Sequence, residues 1–193
     1  MTNAAQKKTK NKSVYASGPK QSAIESHTFA VLVDNEPGVL AKVIGLFSGR
    51  GYNIDSLTVA ETDHDASLSR ITIVCSGTPQ VIDQIRTQLE KQVPVRHVSD
   101  LTVSGPFVDR ELALVKVVAA GEKRIEALRI ADIFRARVVD STLNSFVFEV
   151  TGDMGKVEAF LELMRPLGMV DVSRTGVAAI SRGQESFAKQ SIQ

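Results

Sequence analysis

The sequence predicts an α+β protein built from two consecutive βαββαβ units. Segments with apolar residues at alternate positions indicate strands, and segments with apolar residues three and four positions apart indicate helices. These segments follow the order strand, helix, strand, strand, helix, strand, and that order occurs twice. The letters RGYNID at 50–55 and RARVVD at 135–140 each follow the first helix of a unit, and they mark the repeat.

Units of about 70 residues with this order are ferredoxin-like domains. We expect a polar, Lys-rich tail over residues 1–26, the first domain over 27–103, a linker over 104–110, the second domain over 111–181 and a flexible tail over 182–193. The first tail has no apolar face to bury, so folding should not depend on it.

The elements of the first unit are predicted from apolar spacing and from turn residues. They are, in order, a strand at 27–33, a helix at 37–48, strands at 52–60 and 68–76, a helix at 79–92 and a strand at 93–103. The first helix has Val39, Leu40, Val43, Ile44 and Phe47 on one face. The second helix follows a Thr78 cap with Pro79 in its first position.

The second unit is predicted in the same way. Its elements are a strand at 111–119, a helix at 122–135, strands at 136–142 and 145–151, a helix at 154–165 and a strand over 168–180. We expect Ile125, Leu128 and Phe134 to form the buried face of its first helix.

Bulk composition excludes several classes of protein. The formal net charge of the 193 residues is +1, so no nucleic-acid partner is required. No uninterrupted apolar stretch reaches the roughly 18 residues of a membrane span, and the first residues do not form a signal peptide. The single cysteine, Cys75, cannot form an intrachain disulfide. We therefore expect a cytoplasmic protein in which Cys75 is a buried structural thiol.

Residues suited to catalysis or metal binding are scarce. The sequence Asp63-His64-Asp65 could hold a metal ion, but a hydrated hairpin turn is the simpler interpretation. Phe146 and Phe148 resemble an RNA-binding strand only loosely, because the basic residue and glycines of that motif are missing, and we interpret them as core. The sequence therefore predicts no catalytic residue and no metal site.

The turn DNEPGVL at 34–40 is the strongest candidate for a binding site. Pro37 would preset the first helical φ, and Gly38 would leave the helix N-terminus uncovered. The N–H groups of Gly38, Val39 and Leu40 could then face a carboxylate, and the Asn35 amide could contact a carboxylate or an ammonium group. A free α-amino acid carries both groups. The alternative is an ordinary helix cap in which Asn35 satisfies its own turn.

Longer stretches resemble one known family. The sequence NEPGVLAKVIGLFSGRGYNIDSLTVAETD, followed by LSRITIV, is similar to the amino-terminal ACT domain of the small subunit of acetolactate (acetohydroxyacid) synthase. The stretches DIFRARVVD, TGDMGKVEAFL and RTGVAAISRG resemble the carboxy-terminal half of the same family. The resemblance covers about residues 28–183.

The resemblance implies a regulatory subunit with no catalytic activity and no cofactor of its own. Thiamine diphosphate, Mg²⁺ and FAD are then expected on a separate catalytic large subunit, which the small subunit activates and makes sensitive to feedback inhibition by valine. ACT domains of this kind pair side by side as homodimers with the effector at the interface. The implied effector-binding residues are Asn35, Gly38, Val39 and Leu40 of one chain and Asn53 and Ile54 of the other.

Two alternatives stay open from sequence. The chain could be an ACT module that senses amino acids for a different enzyme or transcription factor, or a structural assembly protein whose turn binds nothing. In the second unit the matching turn, VVAAGEKRIEAL, lacks the Asn and the Pro-Gly pair, and Val138 occupies the position matched to Asn53. We therefore expect the second unit to bind no amino acid and to serve dimerisation or contact with the catalytic subunit.

Overall fold

A computed structural model describes residues 23–63, 65–184 and 187 of the chain. The elements are β1 (Glu25–Asp34), α1 (Val39–Ser48), β2 (Ser56–Asp63), β3 (Leu68–Gly77), α2 (Pro79–Glu90), β4 (Val95–Asp100), α3 (Leu101–Ser104), β5 (Phe107–Val118), α4 (Glu122–Phe134), β6 (Arg137–Ser141), β7 (Ser145–Gly152), α5 (Met154–Gly168), β8 (Met169–Arg174) and β9 (Ala178–Ser181). The predicted pair of ferredoxin-like units is confirmed.

The first sheet has the antiparallel order β2-β3-β1-β4. Phe29, Val31 and Val33 alternate along β1 and point to the same core as α1 and α2. The Thr78 side chain accepts from the Val81 N–H and caps α2, with Pro79 in the first turn as predicted. Among the described residues β2 pairs only with β3, so its other edge has no strand beside it in that part of the chain.

The second sheet repeats this plan with the order β6-β7-β5-β8. Phe146 and Phe148 are buried and contact each other, and Phe148 also contacts Phe160, so their predicted role in the core is confirmed. The predicted face of α4 is confirmed at Phe134, which packs against the core and contacts Phe160. It is wrong at the other two residues, because Ile125 is 69% exposed and Leu128 is 37% exposed.

The buried face of α4 is instead Ala127, Ile130 and Ala131. Alanine side chains are small, so they let the helix backbone approach the sheet closely. The larger residues Ile125 and Leu128, on which the sequence prediction relied, face outward instead. No helix among the described residues is long and apolar enough to cross a membrane.

Strand β5 begins at Phe107, inside the segment predicted as a linker, because residues 107–110 pair with β9. The predicted strand over 168–180 is broken into β8 and β9, and α3 lies where the strand after α2 was expected to continue. The domain bounds themselves stay a prediction, and residues 1–22 lie outside the described part of the chain.

The segment of residues 175–181, which we call the strap, crosses from the second unit onto the first sheet. Val177 and Ala179 of the strap pack with Ala30 and Val74, on the face of that sheet that α1 and α2 leave uncovered. Beyond the strap, the ring of Phe187 lies 4.6 Å from the Arg70 guanidinium carbon, although the sequence predicted a flexible tail from residue 182. The strap is therefore a physical link between the two units.

Candidate functional site

The turn between β1 and α1 leaves the N-terminus of the helix uncovered. Gly38 is the N-cap, with φ 86° and ψ −3°, and no side chain of the described residues bonds to the cap. The expectation that Pro37 starts the helix is wrong, because Gly38 turns through the left-handed region and α1 begins only at Val39. Glycine adopts this conformation without steric cost and adds no side chain over the helix end.

The donors at this helix end differ from the predicted set in one respect. The Val39 N–H, expected to face a ligand, donates to Glu36 O at 3.3 Å, and Lys42 makes the first helical bond, to Gly38 O. Among the described residues, no acceptor is recorded for the N–H groups of Gly38 and Leu40. These groups and the positive end of the helix dipole can attract an anion.

Backbone hydrogen bonds to the loop before β3 and to the loop before β4 hold this turn in place. Asn35 N donates to Ser67 O at 2.7 Å, and Asp34 N donates to Pro94 O at 2.9 Å. Arg96 Nε also donates to the Asp34 carboxylate at 2.7 Å. The exposed Asn35 side chain has no recorded hydrogen bond within the described chain. The alternative in which Asn35 satisfies its own turn therefore has no support in this geometry.

The apolar residues of α1 divide between the core and the surface. Val39 is 4% exposed and belongs to the core, whereas Leu40 and Ile44 are 38% and 39% exposed. Leu40 and Ile44 are one helical turn apart, so they form a short apolar strip on the outside of the helix.

The second predicted half-site lies between α1 and β2. Asn53 is exposed, and its Nδ2 donates to Asp55 Oδ1 at 2.6 Å. The other carboxylate oxygen of Asp55 accepts from Ser76 Oγ at 2.6 Å. Ile54 is half-buried and packs partly against the core of its own unit. Asp55 and Ser76 were not predicted as site residues, since only the folded register brings Ser76 next to Asp55.

The two half-sites lie at opposite ends of the first sheet. Asp34 is opposite Leu68 on β3, whereas both Ser56 and Thr28 are opposite Val74. The start of β2 is therefore level with Thr28, six residues of strand from Asp34, or about 20 Å at the usual rise per residue. One chain alone does not bring Asn35 and Asn53 together.

The second unit does not repeat these half-sites. Gly121 caps α4 without a side-chain bond, but the acidic Glu122 occupies the first helical turn. The match of Val138 to Asn53 is wrong, because Val138 lies inside β6 opposite Phe148, while Asn53 precedes β2. Only residues 135–136 separate α4 from β6, so the second unit has no counterpart of the loop over 49–55.

The two remaining candidates from the sequence are the thiol of Cys75 and the turn around His64. Cys75 is fully buried, and burial, followed by the charges of Asp55 and Asp100, raises the pKa of its thiol to about 12. The thiol is therefore protonated at neutral pH, as expected for a structural cysteine. His64 lies outside the described residues, and within the described ranges no cluster of three metal-ligating side chains occurs.

Comparison with known proteins gives matches in both units. A family model described as the AHAS small subunit-like ACT domain matches residues 29–97. A second model, described as the small subunit of acetolactate synthase, matches residues 110–183. The chain therefore carries an ACT domain followed by the C-terminal domain of the same family.

Relatives match over nearly their whole length. A probable acetolactate synthase small subunit of Archaeoglobus fulgidus is 51% identical over 159 residues, which cover 82% of this chain and 98% of the relative. The acetolactate synthase isozyme 3 small subunit of Escherichia coli is 47% identical and covers 81% of this chain and 95% of its own. The crystal structure of the Thermotoga maritima small subunit matches with a TM-score of 0.73 at 36% identity, over 83% of this chain and 99% of that chain. The chain belongs to the family of acetolactate synthase small subunits.

Proposed function

We propose that this chain raises the activity of a catalytic acetolactate synthase subunit and makes that subunit sensitive to feedback inhibition by valine. Membership in the small-subunit family supports a catalytic large-subunit partner. The observation that carries the effector part of the proposal is the uncovered N-terminus of α1, where Gly38 caps the helix without a side chain.

A branched-chain α-amino acid fits the chemistry of this helix end. Its carboxylate would accept from the N–H groups of Gly38 and Leu40, which have no acceptor among the described residues, at a helix end where the dipole favours negative charge. The Asn35 amide is exposed beside them and is available as a further donor. The apolar side chain of the ligand would lie along the exposed strip of Leu40 and Ile44.

A second copy of the chain would complete the site. No strand of the described residues pairs with the outer edge of β2, and antiparallel pairing of two such edges about a two-fold axis inverts one chain relative to the other. That inversion would carry Asn53 and Ile54 of one chain toward the turn of its partner, about 20 Å from their own turn. Such a homodimer would hold two valine sites, each built from both chains.

The second unit would have a different role. The acidic first turn at Glu122 and the short connection over 135–136 argue against a second amino-acid site. We assign this unit to dimerisation or to contact with the catalytic subunit. Thiamine diphosphate, Mg²⁺ and FAD would be bound by that subunit, and this chain would contribute no residue to the reaction.

The test is a comparison of Gly38→Asp with Gly38→Asn in the complex with the catalytic subunit. Asn and Asp have the same shape and both tolerate the left-handed conformation of Gly38, so only the charge differs. We expect the Asp variant to lose valine inhibition, with at least a tenfold rise in the valine concentration for half-inhibition. The Asn variant should keep most of its inhibition, and both variants should still activate the catalytic subunit.

Acetolactate formation from pyruvate, measured with and without valine, checks this expectation. Equal inhibition of the wild type and both variants would remove the turn from the effector site. Failure of the wild-type chain to change the activity of the catalytic subunit would contradict the proposed function as a whole.

A further inference from the structure

Asp55, the residue immediately before β2, is held by hydrogen bonds from its backbone and its side chain. Its backbone N–H donates to Val74 O at 2.8 Å. One carboxylate oxygen accepts from Ser76 Oγ and the other accepts from Asn53 Nδ2, each at 2.6 Å. Two hydrogen bonds therefore hold the carboxylate and a third holds the backbone of the same residue, directly against a residue of the proposed effector site.

This contact determines which way the Asn53 amide faces. A carboxylate only accepts hydrogen bonds, so the amide nitrogen has to face Asp55, and the reversed amide would place two oxygen atoms 2.6 Å apart. The carbonyl oxygen Oδ1 is then directed away from Asp55. Within the described residues it has no recorded donor, so it is available to accept from a ligand.

The negative charge of Asp55 and the orientation of the Asn53 amide both favour a positively charged ligand group. A carboxylate beside Asn53 favours a cation and disfavours an anion at this half-site. The other half-site has the opposite preference, because the N-terminus of α1 attracts anions. Two half-sites of opposite sign match the two ends of an amino acid zwitterion.

We propose that Asp55, held by Ser76, is a positioning residue that makes Asn53 Oδ1 the acceptor for the α-ammonium group of the effector. This inference rests on the proposed function, and it adds a prediction about which ligands the site selects. The site would select α-amino acids over 2-hydroxy and 2-oxo acids that carry the same side chain. A 2-oxo acid that carries the same side chain would then leave the site unoccupied.

The test measures binding of two probes to the full-length chain by calorimetry. L-Valine and (S)-2-hydroxy-3-methylbutanoate differ in the ammonium group and share the carboxylate and the side chain. The hydroxyl group of the second probe can still donate a neutral hydrogen bond, which contributes about tenfold less to affinity than a charged one, so the wild type should prefer valine by about tenfold.

Asp55→Asn keeps the shape of the side chain, removes its charge and can donate to Asn53 Oδ1. We expect it to weaken valine binding by about tenfold or more and to leave the hydroxy acid within about twofold, so that the preference largely disappears. Ser76→Ala keeps the charge and removes one of the bonds that hold it. It should move the preference in the same direction by a smaller factor, about threefold.

A purely structural role for Asp55 would weaken both probes equally, and that result would overturn the inference while leaving valine sensing intact. If Asp55→Asn does not fold, as judged by thermal melting, Ser76→Ala decides, and an unchanged preference for valine in that variant overturns the inference. Absence of valine binding by the wild type would instead remove the proposed function and this inference together.

Discussion

Glu111 is a charged side chain that lies almost entirely out of solvent. It is 3% exposed, and its two carboxylate oxygens accept from Arg174 at 2.8 and 2.6 Å. The hydrogen bond to Glu111 is the largest cause that raises the pKa of Arg174. This bidentate pair ties β5 to the end of β8, immediately before the strap.

Arg174→Met should destabilise the protein because it leaves the Glu111 carboxylate buried without a partner. We expect a loss of about 3 kcal/mol in the free energy of unfolding, at the low end for buried ion pairs because Arg174 is one-third exposed. Urea denaturation measures this loss. The double variant Glu111→Leu with Arg174→Met should recover most of it, and Glu158→Gln, at an exposed contact of the same arginine, should cost less than about 1 kcal/mol.

At the scale of secondary structure, the strap is held to β2 by paired hydrogen bonds. Val177 N donates to Ser56 Oγ at 2.8 Å, and Thr58 Oγ1 donates to Val177 O at 2.7 Å. Gly176, with φ 80°, lies so close to β2 that an added Cβ would be 2.8 Å from Ser56 Oγ. The strap therefore rests directly on the strand that follows the Asn53 loop.

Gly176→Ala should loosen the strap, since alanine is strained at this φ and collides with Ser56. We expect faster amide hydrogen exchange over β9 and β2, with little change in β6 and β7. Thr58→Val, which removes only one hydroxyl donor, should have a smaller effect of about 1 kcal/mol. Equal exchange in the wild type and Gly176→Ala would show that the strap does not depend on this close contact.

Sequence periodicity predicted the long elements well, because α2 and β1 bury large apolar residues at regular spacing. It missed α3, which has four residues, too few to establish a period, and it did not separate the equally short β9 from β8. It also placed one strand over 168–180, since nothing local in the sequence shows that the chain stops pairing with residues 113–117 of β5 and pairs again with residues 107–110.

The candidate site was predictable to a similar degree. Gly38 and Asn35 follow from local turn chemistry, and Asn53 from the family resemblance. The bond of Glu36 O to Val39 N and the contact of Ser76 with Asp55 depend on backbone geometry and strand register, which single-sequence patterns do not specify.

At the scale of the whole molecule, the separation of the half-sites predicts complementation between chains. Gly38→Asp damages only the turn, and Asn53→Ala damages only the loop. A two-fold dimer of one variant chain with the other contains one site built from the intact turn and the intact loop. Each variant alone should bind no valine with wild-type affinity, whereas an equal, re-equilibrated mixture should bind about one valine per four chains.

Calorimetry on the mixture, compared with the two separate variants, measures this recovery. A site contained within a single chain would give no recovery, because every chain in the mixture carries one defect. Recovery to one valine per chain would be equally inconsistent with a shared site.

Because Asn35 and Asn53 lie at opposite ends of one sheet, the apparent affinity for the ligand should depend on the concentration of the chain. A ligand bridging two copies binds the assembled state and has no complete site on a separated chain, so ligand binding and association must stabilise each other by equal amounts of free energy. Dilution would then lower the apparent affinity for valine, and valine would slow the exchange of chains between dimers. The sensor would respond to its own abundance as well as to its ligand.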